Sequence, residues 1–289
     1  MTRLGAMLTR NHAPEDLPNL AKAMAPGLDE LWIIEDLNFA GGISQLMAVL
    51  AATDNDASGR PRVGHGIAPA PFRNPAALAM EWATVERLYP GRLIGGIGHG
   101  VPDWMDRVGE GVPSRLGLLR DTILSTKQIL AGGSASYHGT NVHIDDVELV
   151  FPPTAEIPVL AGVTGPKSLH LSGEVADGTV LPEGFTADRI ADARARTNAG
   201  REAAARTDPH YLTVFVTFYC GDVTQLPPPP PGVPLDGFAV EGPTVGDVIE
   251  PLQQLIDAGA DSLIIIPFGN EAEQTRLLAK EIRPRLSPG

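Results

Sequence analysis

RVGHGIAPAPFRNPAALAMEWATVERLYPGRLIGGIG, residues 62–98, reads as a strand, a helix and a second strand. Arg62–Ala68 forms the first strand. Asn74 can cap the helix that follows, with Pro75 in its first turn. Leu78, Trp82, Val85 and Leu88 recur at spacings of four, three and three, so they share one helical face. Arg92–Ile97 is the second strand. Two strands joined through a helix pair in parallel, because a parallel pair needs a long crossover.

The same unit repeats on both sides of this stretch. Arg3–Leu8 is a strand followed by a helix over Glu15–Ala25, and Glu30–Ile34 a strand followed by Ser44–Asp54. A helix starts near Ser114, with Leu116, Leu119, Ile123, Ile129 and Leu130 along one face. Tyr137–Val150 breaks the rhythm: alternating residues and a turn at Gly139 indicate a β-hairpin. Ile157–Ala161 is the fifth strand, and its helix opens at Pro166. Gly178–Leu181 is the sixth, before an Arg-rich helix from about Thr186 to Arg206. Tyr211–Cys220 is the seventh. Thr244 and Asp247 form a capping-box-like start to a helix ending near Gly259. Asp261–Ile266 is the eighth strand, and a helix over Ala272–Arg285 closes the chain. Eight strand–helix pairs define an α/β chain, a (β/α)8 barrel in one domain over 1–289 with a hairpin insertion. An open doubly wound sheet is the competing architecture. Eight regular units, and no Gly-x-Gly-x-x-Gly after the first strand, favour the barrel.

Composition narrows the function. A formal charge of −13 argues against nucleic acid, whose phosphates need a basic face. The apolar runs are too short to span a bilayer. No basic-then-apolar stretch opens the chain, so no secretory leader is expected. The one cysteine, Cys220, ends an apolar strand and reads as a packed side chain rather than a nucleophile. A reducing cytoplasm suits such a chain. Five prolines, Pro227–Pro231, follow the seventh strand; they are either a stiff surface spacer or an arm over the barrel mouth.

In a (β/α)8 barrel the chemistry lies just beyond the strand C-termini. There the sequence places Glu35-Asp36-Leu37-Asn38, Gly66-Ile67-Ala68-Pro69, Gly98-His99-Gly100, Gly162-Val163-Thr164-Gly165-Pro166, Pro182-Glu183-Gly184 and Pro267-Phe268-Gly269. Thr164 and Gly165 precede Pro166, a good first helical residue. This is either an ordinary capped turn or an anion site made of free N–H groups and a helix dipole, with help from Lys167 and Ser168. His99 could hydrogen-bond a ring or pass a proton, or be a rim residue. Glu35 and Asp36 could anchor a ligand, or simply bond neighbouring strand ends. His65 lies within a strand and reads as structural. No His/Cys/Asp cluster has metal-ligand spacing, and neither a P-loop nor a Gly-x-Ser-x-Gly elbow occurs.

Taken in order, Trp32-Ile33-Ile34-Glu35-Asp36, Arg73-Asn74-Pro75, Gly96-Ile97-Gly98-His99-Gly100, Gly165-Pro166-Lys167-Ser168, Gly173–Gly178 and Ala258-Gly259-Ala260-Asp261 resemble the luciferase-like flavin and deazaflavin oxidoreductases, most of all their coenzyme F420-dependent branch. The resemblance implies a barrel that binds F420, or alternatively FMN. It implies a non-prolyl cis peptide at Gly66–Ile67 beneath the cofactor ring, with Ala68 beside it, and a cofactor contact from Asp36. It also implies a phosphate loop at Val163, Thr164, Gly165 and Pro166, and His99 and Gly100 near the ring. Catalytic roles are expected for His99 and Glu35. The sugar-phosphate dehydrogenases of this branch carry a histidine after the strand-two acid and a glutamate beyond the strand-four glycines; Leu37 and Val101 stand there instead, so sugar-phosphate oxidation is not expected. The implied activity is hydride transfer between F420 and a small organic substrate with a C=N or C=C bond. The alternatives are an FMN-dependent monooxygenase and a non-catalytic ligand-binding barrel. A homodimer is the default assembly.

Overall fold

In chain order the strands are β1 (Arg3–Met7), β2 (Glu30–Ile33), β3 (Arg62–Pro69), β4 (Leu93–Gly98), β5 (Ala135–His138), β6 (His143–Val147), β7 (Val159–Gly162), β8 (Gly178–Leu181), β9 (Tyr211–Cys220), β10 (Ala239–Gly242) and β11 (Ser262–Pro267). The computed structural model describes residues 2–54, 60–222, 224 and 239–287; the proline run Pro227–Pro231 lies outside them. The main sheet runs β10-β9-β11-β1-β2-β3-β4-β7-β8, and β8 pairs back onto β9. The eight expected strands therefore close into a parallel barrel, its seam running from Gly178 opposite Tyr211 to Leu181 opposite Val214. β9 outlasts β8, and its last residues, Thr217–Cys220, pair in parallel with β10 outside the ring of eight. β5 and β6 form the expected antiparallel hairpin around Gly139, beginning at Ala135 rather than Tyr137.

The helices are α1 (Leu17–Met24), α2 (Gly42–Ala52), α3 (Pro75–Leu88), α4 (Pro102–Arg107), α5 (Arg115–Leu130), α6 (Pro166–Val175), α7 (Ala187–Ala203), α8 (Val245–Asp257) and α9 (Glu271–Leu277). Asn74 caps α3 as expected, accepting from the Ala76 N–H at 2.9 Å. At α8 the Asp247 carboxylate accepts the Thr244 N–H at 2.9 Å. Three expectations need correction. α4 is an additional short helix that starts at Pro102, a residue suited to a first helical turn. The closing helix does not run unbroken to Arg285; it widens into a π segment at Leu278–Ile282 and tightens into a 3-10 turn. Leu88 is 57% exposed. At ~100° per residue, Leu78, Ala79, Trp82, Ala83, Val85 and Glu86 define the buried arc of α3, and Leu88 falls outside it. No described helix is long and apolar enough to cross a membrane.

Successive strand residues point to opposite faces of the sheet, which gives the barrel two apolar layers. The larger lies between strands and helices. The smaller fills the barrel interior with Met7, Trp32, Ile94, Leu160, Val180, Phe215 and Ile264. Trp32 meets Phe215 edge to face at 5.3 Å, and its indole N–H donates to the buried Glu30 carboxylate at 2.9 Å. β3 makes room for this indole: a Cβ on Gly64 would lie 2.2 Å from the Trp32 ring. The interior is thus a packed plug, and the space above it, at the strand C-termini, is where a ligand fits.

Candidate active site

A cavity of about 1380 Å³ opens above the plug, lined by the C-terminal part of β3 and by residues that follow β1, β2, β4, β7, β8 and β11. Met7, Ile34, Val180, Phe215 and Ile266 form its apolar floor. On one side of the floor the register between β3 and β4 shifts between His65 and Ala68, and within that bulge the Gly66–Ile67 peptide is cis. Gly66 and Ile67 both line the cavity. Ala68 does not: it is 1% exposed and packs in the outer layer, because strand alternation turns it toward the helices.

Val163, Thr164 and Gly165 line the cavity where β7 passes into α6. Gly165 is the N-cap of α6, and no side chain caps this end of the helix. A Cβ added at Gly165 would meet nothing within 4 Å. The first-turn N–H groups have no intrahelical partner, and Lys167 stands beside them in the wall. Pro166, expected among the ligand-binding residues, lines an adjoining groove with Arg120 and His170 that shares Leu116 and Lys167 with the cavity.

His99 and Gly100 reach the cavity from the end of β4. His99 Nε2 lies 2.9 Å from Ser168 Oγ in α6, and Nδ1, close to the Arg115 backbone, makes no hydrogen bond of ordinary geometry. Burial pushes the imidazole below its usual range, which favours the neutral ring. His99 therefore ties the β4 loop to the first turn of α6.

Glu35 reads differently in three dimensions than in sequence. Its carboxylate accepts both terminal nitrogens of Arg73, one at 2.7 Å. It also takes the Gly42 N–H at 3.0 Å and lies 3.1 Å from His65 Nε2. Burial alone would raise its pKa, but the hydrogen bonds from His65 and Arg73 outweigh that and bring it down to about 2. A carboxylate so low and so fully engaged is a poor proton carrier near neutral pH. The geometry argues for Glu35 as the clamp joining β2, β3, α2 and the start of α3, in place of the catalytic role expected of it. His65 completes the clamp: the Trp82 indole N–H donates to its Nδ1 at 3.3 Å, which leaves Nε2 to donate to Glu35. Asp36 lines the cavity and is paired with Arg10.

The sequence reading passed over the segment after β1. Thr9, Arg10, Asn11 and His12 all line the cavity, as does Glu271 at the start of α9. The rule that picked out the other strand ends, applied to β1, finds the first four; nothing in sequence links them to Glu271. Pro102 and Trp104 of the α4 segment were likewise missed, while Val101, noted in place of the glutamate of the sugar-phosphate dehydrogenases, lines the cavity with them.

Barrel and site together define an enzyme-like (β/α)8 architecture with a large cavity, a bulged floor and an uncapped helix in its wall. Residues 1–225 match the luciferase-like monooxygenase family, and the chain belongs to it. The chain is 28% identical over 128 residues to the F420-dependent glucose-6-phosphate dehydrogenase of Microbacterium testaceum, a match covering 42% of this chain but only 38% of that relative. It is 23% identical over 312 residues to the 5,10-methylenetetrahydromethanopterin reductase of Archaeoglobus fulgidus, covering 90% of this chain and 92% of that one. The coenzyme F420-dependent tetrahydromethanopterin reductase of Methanopyrus kandleri superposes with a TM-score of 0.83 at 17% identity, over 99% of both chains.

Proposed function

We propose that this protein is a coenzyme F420-dependent oxidoreductase that moves a hydride between the deazaflavin and a small organic substrate. The observation that carries this reading is one continuous cavity with the Gly66–Ile67 bulge of β3 in its floor and the uncapped N-terminus of α6 in its wall. A planar ring system with a phosphate on its tail fits such a shape. The F420-dependence stated in the names of the Microbacterium and Methanopyrus proteins supports the deazaflavin as the ring. When bound, the cofactor supplies or takes up the hydride.

This chain's own residues do the rest. The Gly66–Ile67 bulge, Asp36, His99 and Gly100 would hold the ring. The first-turn N–H groups of α6 hold the phosphate, with Thr164 and Gly165 leaving it room. The Glu35–Arg73–His65 clamp keeps the β2 and β3 ends in register under the ring. The apolar floor excludes water from the reacting face. The substrate's C=N or C=C bond, cytoplasmic location and a homodimeric state belong to the same proposal.

FMN also has a phosphate tail, and the family contains monooxygenases, so the test compares the two chemistries. The protein is supplied with reduced F420 or with reduced FMN and oxygen, against a panel of small unsaturated compounds. Substrate-dependent oxidation of F420 supports the proposal. Turnover confined to FMN and oxygen overturns it.

A further inference from the structure

Several ionisable groups in the cavity wall are already held by protein partners: Glu35 by Arg73, His65 and Gly42, Asp36 by Arg10, and His99 by Ser168. The wall formed by the segment after β1 and the first residue of α9 is arranged differently. His12 Nε2 lies 2.9 Å from Glu271 Oε2, and the other oxygen of the same carboxylate accepts the Thr9 hydroxyl at 3.0 Å. Both oxygens are thus fixed, and the Glu271 side chain is 11% exposed whereas that of His12 is 33% exposed. An imidazole whose Nε2–H is held by a partly buried carboxylate presents Nδ1 as the nitrogen that gives or takes a proton. Besides Glu271, the charged groups of the cavity wall are Arg10, paired with Asp36, Glu35, engaged by Arg73, and Arg115, Lys167 and the exposed Glu183. The adjoining floor, Met7, Ile34, Phe215, Ile266 and Phe268, offers a substrate no side-chain hydrogen bond.

We propose that His12, oriented by Glu271, is the proton donor and acceptor of this cavity, and that the substrate is a small ketone or imine with an apolar body, or the matching alcohol or amine. This rests on the proposed function and deepens it, keeping its C=N bond and setting C=O in place of C=C. In the reducing direction a hydride from the reduced cofactor bonds to the C=O or C=N carbon. The π pair moves onto oxygen or nitrogen, and that atom takes the proton from His12 Nδ1. The neutral ring regains a proton from solvent through its exposed edge. One hydride and one proton are consumed for each double bond reduced, and the oxidised cofactor balances the electrons. Oxidation of the alcohol or amine runs the same steps backwards.

The experiment uses the full chain with F420 and a panel of aliphatic ketones and cyclic imines. His12→Asn should bind oxidised F420 within about twofold of wild type while kcat falls by about a hundredfold or more, and the pH dependence that an imidazole confers should vanish. Added imidazole should restore part of the rate to His12→Ala. Glu271→Gln, which keeps a hydrogen-bonding side chain in place, should show a smaller loss. In wild type loaded with oxidised F420, a ketone or imine that turns over should also shift the His12 ring resonances in NMR spectra. Unchanged kcat and pH profile in His12→Asn would reduce His12 and Glu271 to a loop tether and overturn the inference. So would a wild type that binds F420 but neither reduces the panel nor shows the resonance shift. Failure of wild type to bind F420 at all would overturn the proposed function, and this inference with it.

Discussion

Gly165→Asp separates folding from cofactor binding at a single position. Gly165 has φ −81° and ψ 152°, an extended conformation that any residue adopts, and the space beyond its Cα is open. Aspartate is also among the preferred N-cap residues, and α6 has no capping side chain now. Gly and Asp differ at an N-cap by only a few tenths of a kcal/mol, so the variant should melt within a degree or two of wild type, or slightly above it. Its carboxylate would occupy the same N–H groups that the cofactor phosphate needs. A lost phosphate contact at a helix N-terminus is worth roughly 0.3–1 kcal/mol. One unit of like charge ~4 Å away adds about 1 kcal/mol of repulsion at the dielectric constant of water, and more as water is excluded. The sum reaches about 1.4 kcal/mol or more, a tenfold loss of affinity. Fluorescence titration of F420 gives the Kd, and calorimetry gives the melting temperature; Gly165→Ala, which adds bulk without charge, is the control. A folded Gly165→Asp protein that binds F420 as tightly as wild type would show that the phosphate is held elsewhere.

Glu35→Gln should cost about 2–4 kcal/mol in urea unfolding, because it leaves Arg73 with only the longer contact to the Glu81 carboxylate, at 3.5 Å; a loss under 0.5 kcal/mol would show that the clamp is not a structural element. The same carboxylate, held at about 2 against an ordinary 4.5, stabilises the fold above pH 4.5 and ceases to do so as pH falls toward 2. His210 titrates with its own signature: burial, then the charges of Arg194, Arg201 and Arg206, bring it to about 4 from 6.5. Its neutral form is the folded one, so its contribution is whole above pH 6.5 and drains away toward pH 4. Between pH 7 and 4.5 wild type should lose about 2–3 kcal/mol more than His210→Gln, and equal losses would refute the assignment. Gly64→Ala forces a methyl against the Trp32 indole, which Phe215 and Glu30 hold in place; overpacking of this kind costs about 1–3 kcal/mol, and an unchanged denaturation midpoint would mean the plug can yield.

The barrel was legible because its signals are local and repeated. Asn74-Pro75, Thr244 with Asp247, and the Gly139 turn each act within a few residues, and each forms as read. Local signals failed where the answer depends on direction or on a distant partner. Apolar spacing put Leu88 on the buried face of α3, but the arc is fixed by what α3 packs against, and its last residue lies outside it. Ala68 sits in the right segment, yet the side to which it turns depends on the bulge between His65 and Ala68. The chemistry was least legible. Glu35 is engaged by His65 and Arg73, 30 and 38 residues away, and His12 meets Glu271 across 259 residues. The ordered run of motifs pointed to Gly66–Ile67 and to the Val163–Gly165 loop, whereas the side-chain partnerships that assign roles exist only once the barrel closes.

The most direct test of the account is an equilibrium titration of the purified, cofactor-free protein with oxidised F420 and, separately, with oxidised FMN, followed by fluorescence and absorption. The account predicts saturable binding of F420, weakened at least tenfold in Gly165→Asp, and tighter than the binding of FMN. Preference for FMN, or binding of neither, would contradict it.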